Sequence, residues 1–382
     1  MSLIAQNYTD WERYLATEAG SENPGPQQVT DGQILQEQLY LGRLAEPLGF
    51  DSIWAVEHHN TPYTMINNPL QFLSYFAGCT ERIDLGTMVI VLPWHDPIRV
   101  AEEIVALDHM LAGRTLKIGV GRGLAVREFD AFGVSMDETR ERFAESLEII
   151  RAAFRDEWFE YDGKYRKVPR TSLRPAPRSR EALLSQLYCA WGSPTSMPIA
   201  ANAGLRPLFV PARSWEDYQG ELGEFNRIRV DNGWEPERPT LVCWIYCAET
   251  YEEAFADAKV HLPEYGRATD LHYQFTGQHL KDTKTYEYYA ALGDRIKDLS
   301  ESGSPYDELY LNNQIWGTPD MCLEKLQNLH ELMGVEEFVL VFSFGSMSVE
   351  KAEKSMRLFA TEVMPKLRQL EDKPAIVNEP TG

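Results

Sequence analysis

The sequence predicts a (β/α)8 barrel, and three observations carry that prediction. Short apolar runs alternate with capped, amphipathic helical stretches along almost the whole chain, and strict alternation implies a parallel sheet. Eight such units can be laid out, the number that closes a parallel sheet into a barrel. A barrel of this type needs ~250 residues, and the chain has 382, with the excess concentrated in two stretches. An open doubly wound sheet is the alternative use of the same alternation.

The first strand is Leu3 to Gln6, separated by a long polar loop, Thr9 to Thr30, from a helix over Ile34 to Leu48. Ser52 to Val56 is the second strand. Asn68 caps the next helix with Pro69 at its first position, and Leu70, Leu73, Phe76 and Ala77 form its stripe. Asp84 to Leu92 is the third strand. Asp96-Pro97 opens a helix carrying Val100, Ile104, Leu107 and Leu111, and Gly113 stops it. Leu116 to Val120 is the fourth strand. Ser135 and Glu138 form a capping box ahead of Phe143, Leu147, Ile150 and Phe154.

Leu187 to Ala190 is the fifth strand, and Ser193-Pro194 opens its helix. Leu208 to Val210 is the sixth, followed by a helix that Ser214 and Asp217 begin. Leu241 to Tyr246 is the seventh, with a capping box at Thr250 and Glu253 behind it. Thr318-Pro319 starts a helix that Gly334 stops. Phe338 to Phe342 is the eighth strand, and its helix runs through Met356, Phe359, Val363 and Leu367.

The excess length lies after helix four, Arg155 to Ser185, and after strand seven, His261 to Trp316. Long insertions in compact domains are functional or disordered. The second holds Tyr265, His272, Tyr273, Phe275 and Tyr286, too aromatic for disorder, and reads as a cover over the barrel mouth or as a dimer contact. Residues 1–370 read as a single barrel domain and 371–382 as a tail.

The formal net charge is −21, which argues against nucleic acid and anionic membrane as partners. No apolar run is long enough to span a bilayer and no signal peptide is visible, so a cytoplasmic location is expected. Five scattered cysteines do not make a disulfide framework. Cys243 and Cys247 share one apolar run and read as buried strand residues rather than zinc ligands.

Function in such barrels sits on the loops after the strands. After strand two comes Glu57-His58-His59. Successive strand residues point to opposite sides, so one histidine faces the barrel mouth and the other packs sideways. A histidine there serves either as a general acid or base or as a hydrogen-bonded structural residue. No metal-ligand spacing is present, so no metal is expected. Trp94, after strand three, either flanks a planar ligand or packs at the start of its helix.

After strand four, Gly121-Arg122-Gly123-Leu124 fails as a dinucleotide fingerprint, because Leu124 stands where glycine is needed. Arg122 gains meaning from Arg140 on the following helix and from the helix start at Ser193-Pro194, with Gly192, Thr195 and Ser196 close by. Strands four and five are neighbours in a barrel. Two arginines and a Ser/Thr-lined helix start then converge, as a mononucleotide phosphate requires.

At these residues the chain resembles the bacterial luciferase (alkanal monooxygenase) family. The resemblance is densest from Leu48 to Phe154 and runs through Leu48-Gly49-Phe50-Asp51, Glu57-His58-His59, Asn68-Pro69, Arg122-Gly123-Leu124 and Phe132-Gly133, returning at Ser193-Pro194 and Gly317-Thr318-Pro319. It implies a barrel that uses reduced FMN, supplied by a separate flavin reductase, and molecular oxygen. The reaction passes through a C4a-hydroperoxyflavin and oxygenates a small organic substrate. It also implies a homodimer.

Position by position, His58 matches the catalytic histidine, and Met88-Val89 the pair that holds the flavin ring, often through a non-prolyl cis peptide. Arg122, Leu124, Arg140, Ala190, Ser193 and Ser196 match positions contacting FMN. Gly121 and Gly192 stand where luciferase has cysteine and glutamate, so light emission and aldehyde preference do not carry over, while flavin binding does. Two other functions remain open: an F420-dependent oxidoreductase of the same superfamily, and a non-catalytic flavin-binding protein.

Overall fold

The computed structural model describes residues 1–191, 196–210 and 214–379. Among the described residues, eleven strands form in chain order: β1 (Ser2–Leu3), β2 (Ser52–Ala55), β3 (Asp84–Val91), β4 (Leu116–Gly121), β5 (Phe159–Asp162), β6 (Lys167–Thr171), β7 (Leu187–Ala190), β8 (Arg206–Phe209), β9 (Thr240–Cys247), β10 (Ile315–Gly317) and β11 (Glu337–Val341). β1, β2, β3, β4, β7, β8, β9 and β11 pair in parallel in that order, and β11 returns to β1 through Ser2 and Val341. The sheet therefore closes into the eight-stranded barrel that the alternation predicts. Each barrel strand is almost entirely buried, as expected for parallel strands with helices outside and a packed interior.

Sequence capping explains the helix starts. Asn68 accepts from Gln71 N–H with Pro69 behind it, Asp96 from Ile98 and Arg99 N–H, Ser214 from Asp217 N–H and Thr250 from Glu253 N–H. These side chains satisfy donors that the first turn leaves open.

Four expectations need correction. β1 ends at Leu3, because Ala5 has a φ of 48° and turns the chain out of the sheet. The loop Thr9 to Thr30 is not all irregular: Trp11–Glu18 is a helix whose Trp11 is fully buried. Ser135 and Glu138 do not form a reciprocal capping box. Ser135 caps a 3-10 turn, Met136–Glu138, and the Glu138 carboxylate pairs with Arg142 instead. The insertion after strand seven does not begin at His261, which lies inside one helix, Tyr251–Tyr273. The barrel's own seventh helix is Pro319–Met333, reached through β10, which pairs with the far end of β9.

The first insertion holds the antiparallel hairpin β5–β6. Glu145 accepts the backbone N–H groups of Lys164, Tyr165 and Arg166 at its tip. The second insertion packs its Phe275, Leu280, Tyr286, Ala290 and Ile296 against Phe129 and Met136, making an apolar cluster separate from the barrel core. It is thereby fastened over the loop that follows β4. The tail segment up to residue 379 lies on the helix Trp215–Asp231, with Asn226 donating to Ile376 O and Asn378 N–H to Gly223 O.

Candidate functional site

The C-terminal ends of the strands and the second insertion enclose a cavity of about 270 Å³. Its wall includes His58 after β2, Met88 and Val89 on β3, Arg122 and Leu124 after β4, Ala190 on β7, and Ser196. Arg140 is not on the wall. It sits near Arg122: burial and then the Arg122 charge hold its guanidinium below the usual arginine range. Two cations that repel one another beside a cavity favour an anion between them. Gly192 and Ser193, and with them the expected Ser193-Pro194 helix start, lie outside the described residues. The described helix in that region is short, Met197–Asn202.

Backbone shape at β3 and β4 prepares one side of the cavity. The β3–β4 register shifts between Thr87 and Ile90, and the Met88-Val89 peptide is cis. A Cβ on Gly121 would stand 2.4 Å from Val89 Cγ2, so glycine is what lets β4 lie against that segment. Gly123 has a φ of 83°, and a Cβ there would meet Val91 Cγ1 at 2.9 Å. The turn that presents Arg122 therefore needs glycine on both sides.

Arg122 is held by the insertion. Its Nη1 donates to Thr285 Oγ1 at 2.8 Å, and the guanidinium lies 4.6 Å from the Tyr286 ring centroid. The Tyr286 hydroxyl donates to Gly123 O. Trp94 lines the cavity and stacks on Phe132.

The two histidines point to opposite sides, although β2 ends at Ala55 and both lie beyond it. His58 lines the cavity. His59 points away, packs against Phe132 and Trp94, and places its Nε2 3.1 Å from Glu57 Oε1. Burial alone would raise the Glu57 carboxyl. The hydrogen bonds from His59 and His95 and the Val91 N–H reverse this and hold it below the usual range. Glu57 thus locks the end of β2 to β3.

Sequence reasoning missed Glu128 and His272. Glu128 is fully buried on the helix Val126–Phe132. Its Oε1 accepts the His59 N–H at 2.6 Å and lies 3.3 Å from His58 Nδ1 and 3.3 Å from His272 Nε2. Burial would raise Glu128, but His58 and His272 outweigh it and hold the carboxyl down at about 2. His272 is buried completely, and burial pushes it down to about 4 despite Glu128. Among the described residues these three are also the one group whose possible metal-ligand atoms come within 4.8 Å of one another. Their wide spacing in the sequence hid that grouping.

Both shifts predict acid sensitivity of the same sign. An unfolded histidine protonates near pH 6.5, and His272 in the fold only near 4, so stability falls as pH drops through that window. Glu128 contributes fully above about 4.5 and loses its contribution as pH falls toward about 2. Thermal melts of wild type and His272→Phe between pH 6.5 and 4 check the first part. The variant is expected to have the flatter dependence; equal slopes mean that His272 takes up its proton without cost to the fold.

Residues 16–336 match the family described as luciferase-like monooxygenase, and the chain belongs to that family. It is 25% identical over 348 residues to an alkanal monooxygenase alpha chain from Photorhabdus luminescens, covering 90% of this chain and 94% of that one. It is 26% identical over 345 residues to the oxygenase component of a flavin-dependent trigonelline monooxygenase from Acinetobacter baylyi, covering 88% and 91%. The solved structure of the monooxygenase RslO1 from Streptomyces bottropensis superposes with a TM-score of 0.71 at 27% identity, covering 90% and 96%. No helix among the described residues is long and apolar enough to cross a membrane.

Proposed function

We propose that the protein is the oxygenase of a two-component flavin monooxygenase. It takes reduced FMN from a separate reductase and places one atom of molecular oxygen on a small organic substrate. The observation that carries this reading is the single cavity: His58, the cis Met88-Val89 pair, Arg122 with Arg140 nearby, and Leu124, Ala190 and Ser196 all meet at one strand-end site. The residues fit an anionic mononucleotide with a planar ring. Arg122 and Arg140 hold the phosphate, and Ala190, Ser196 and Leu124 line the path. Met88 and Val89 support the ring.

Bound reduced FMN supplies the oxygen-activating chemistry. The chain's own tasks are to orient it, to exclude water and to handle protons. His58 Nδ1 faces Glu128, so Nε2, 3.3 Å from the Tyr273 hydroxyl, is the atom that exchanges protons. The insertion keeps water from the site, which suppresses wasteful loss of activated oxygen. Over the cavity it presents Tyr265, Tyr273, Phe275 and Tyr306, facing Trp244 of β9. Such a wall suits a flat aromatic substrate better than a straight-chain aldehyde.

The test is anaerobic titration with reduced FMN, followed by oxygen uptake with aromatic and aliphatic substrates. Stoichiometric binding and substrate-dependent oxygen uptake, strongest with aromatics, support the reading. Hydride transfer with bound F420, seen by its absorption spectrum and without oxygen uptake, overturns it.

A further inference from the structure

We propose that Glu128 and His272 are positioning residues for His58, forming one close-packed polar array that fixes which nitrogen of His58 handles protons. The proposal rests on the reading of His58 as the proton-handling group. A carboxylate only accepts, so Glu128 Oε1, 3.3 Å from His58 Nδ1, keeps the hydrogen on Nδ1 and leaves Nε2 as the working atom. The same oxygen is anchored by the His59 N–H at 2.6 Å. The carboxylate therefore cannot drift away from the loop that carries His58.

His272 completes the array from the opposite side. Thr61 Oγ1 accepts the Tyr63 N–H, so its own proton is available to His272 Nδ1, 2.8 Å away. His272 then carries its hydrogen on Nε2, the nitrogen 3.3 Å from Glu128 Oε1, a close polar contact short of hydrogen-bond geometry. The ring is wedged between Tyr63, stacked at 4.7 Å, and Tyr273, edge-on at 4.9 Å. The charged and titratable groups that face it are Glu128, His58, Arg127, Tyr63 and Tyr273. Burial and the nearby charges keep it neutral, so it sets a polar ring edge against Glu128 and does not compete with His58 for charge.

His272 belongs to the insertion helix, while Glu128 and His58 belong to barrel loops. Seating of the insertion is thereby linked to the tautomer of the reacting histidine. A two-histidine, one-carboxylate metal site is the competing use of the same atoms.

Three variants test the array: Glu128→Gln, His272→Phe, which keeps the stacked ring but loses the N–H edge beside Glu128, and His272→Gln, which restores an N–H there. Glu128→Gln and His272→Phe are expected to lower coupled turnover by on the order of 10- to 100-fold and to raise the share of oxygen released as peroxide. Glu128→Gln is also expected to change the pH–rate profile, since a negative neighbour is lost. His272→Gln recovers most of the loss. Nitrogen-15 NMR of the imidazoles reads the tautomer without reference to activity. His58 is expected as Nδ1–H in wild type and as a mixture in Glu128→Gln and His272→Phe.

Turnover, pH profile and tautomer unchanged in both disrupting variants would overturn the proposal, as would stoichiometric iron or zinc retained after exposure to those metals. A disturbed tautomer together with unimpaired turnover in His58→Asn leaves the array standing and removes the role assigned to His58.

Discussion

Arg122→Ala is expected to weaken reduced-FMN binding by about 10- to 100-fold while the barrel still folds. A charge-assisted hydrogen bond is worth about 1.5–3 kcal/mol, and every 1.4 kcal/mol is about tenfold in affinity. The fold loses little, because among the described residues the partners of Arg122 are the Thr285 hydroxyl and carbonyl and the face of Tyr286, not a buried carboxylate. Arg140→Ala is expected to weaken binding in the same direction. Removing either guanidinium also relieves the repulsion between them, so the double variant loses less than the product of the two single losses. Anaerobic titration calorimetry measures all three. Undiminished affinity in Arg122→Ala would remove the phosphate assignment.

His58→Asn is expected to lower oxygen-dependent turnover by about 10²- to 10⁴-fold, the range for a lost general acid or base, with reduced-FMN affinity nearly unchanged. The distinction follows from the structure. His58 joins the cavity through its Nε2 edge, beside Tyr273, while its Nδ1 faces Glu128. Asparagine keeps a polar group against Glu128 but cannot exchange a proton near neutral pH. Oxygen uptake should continue with peroxide as its main product. Equal product formation in wild type and variant would falsify a catalytic role for His58 and favour a flavin-binding protein without that chemistry.

Much of the barrel was legible because its signals are local. A short β-branched run such as Val89-Ile90-Val91 and a cap such as Asn68-Pro69 each act within a few residues. The loop Gly121-Arg122-Gly123 was legible for the same reason, its glycines being required by contacts with the strand beside it. Where expectation failed, a local signal was overruled by tertiary contact. The insertion helix runs straight through Pro263, because burial of His261, Leu262 and Tyr265 holds a segment that proline alone would interrupt. Trp11 makes a helix inside a polar stretch by burying one large ring. Glu128 went unnoticed because its partners His58 and His272 come from positions brought together only by closure of the barrel and seating of the insertion. Thr61 and His272 are 211 positions apart and touch. Nothing in either neighbourhood announces the other.

That closure has a kinetic side. β1 contributes only Ser2 and Leu3 to the sheet, and the strand that seals it, β11, begins at Glu337. Until β11 slots between β9 and β1, both of those strands keep an open edge. Their backbone N–H and C=O groups stay exposed to pairing with other chains. The closing contact also has a very long loop to overcome, the condition under which folding is slow and partly folded chains are prone to aggregate. The barrel is therefore most vulnerable late in folding, when nearly all of the chain is already made. Shielding of β1 and β9 during that interval would protect the very strands that bring Ile4 and Trp244 to the cavity.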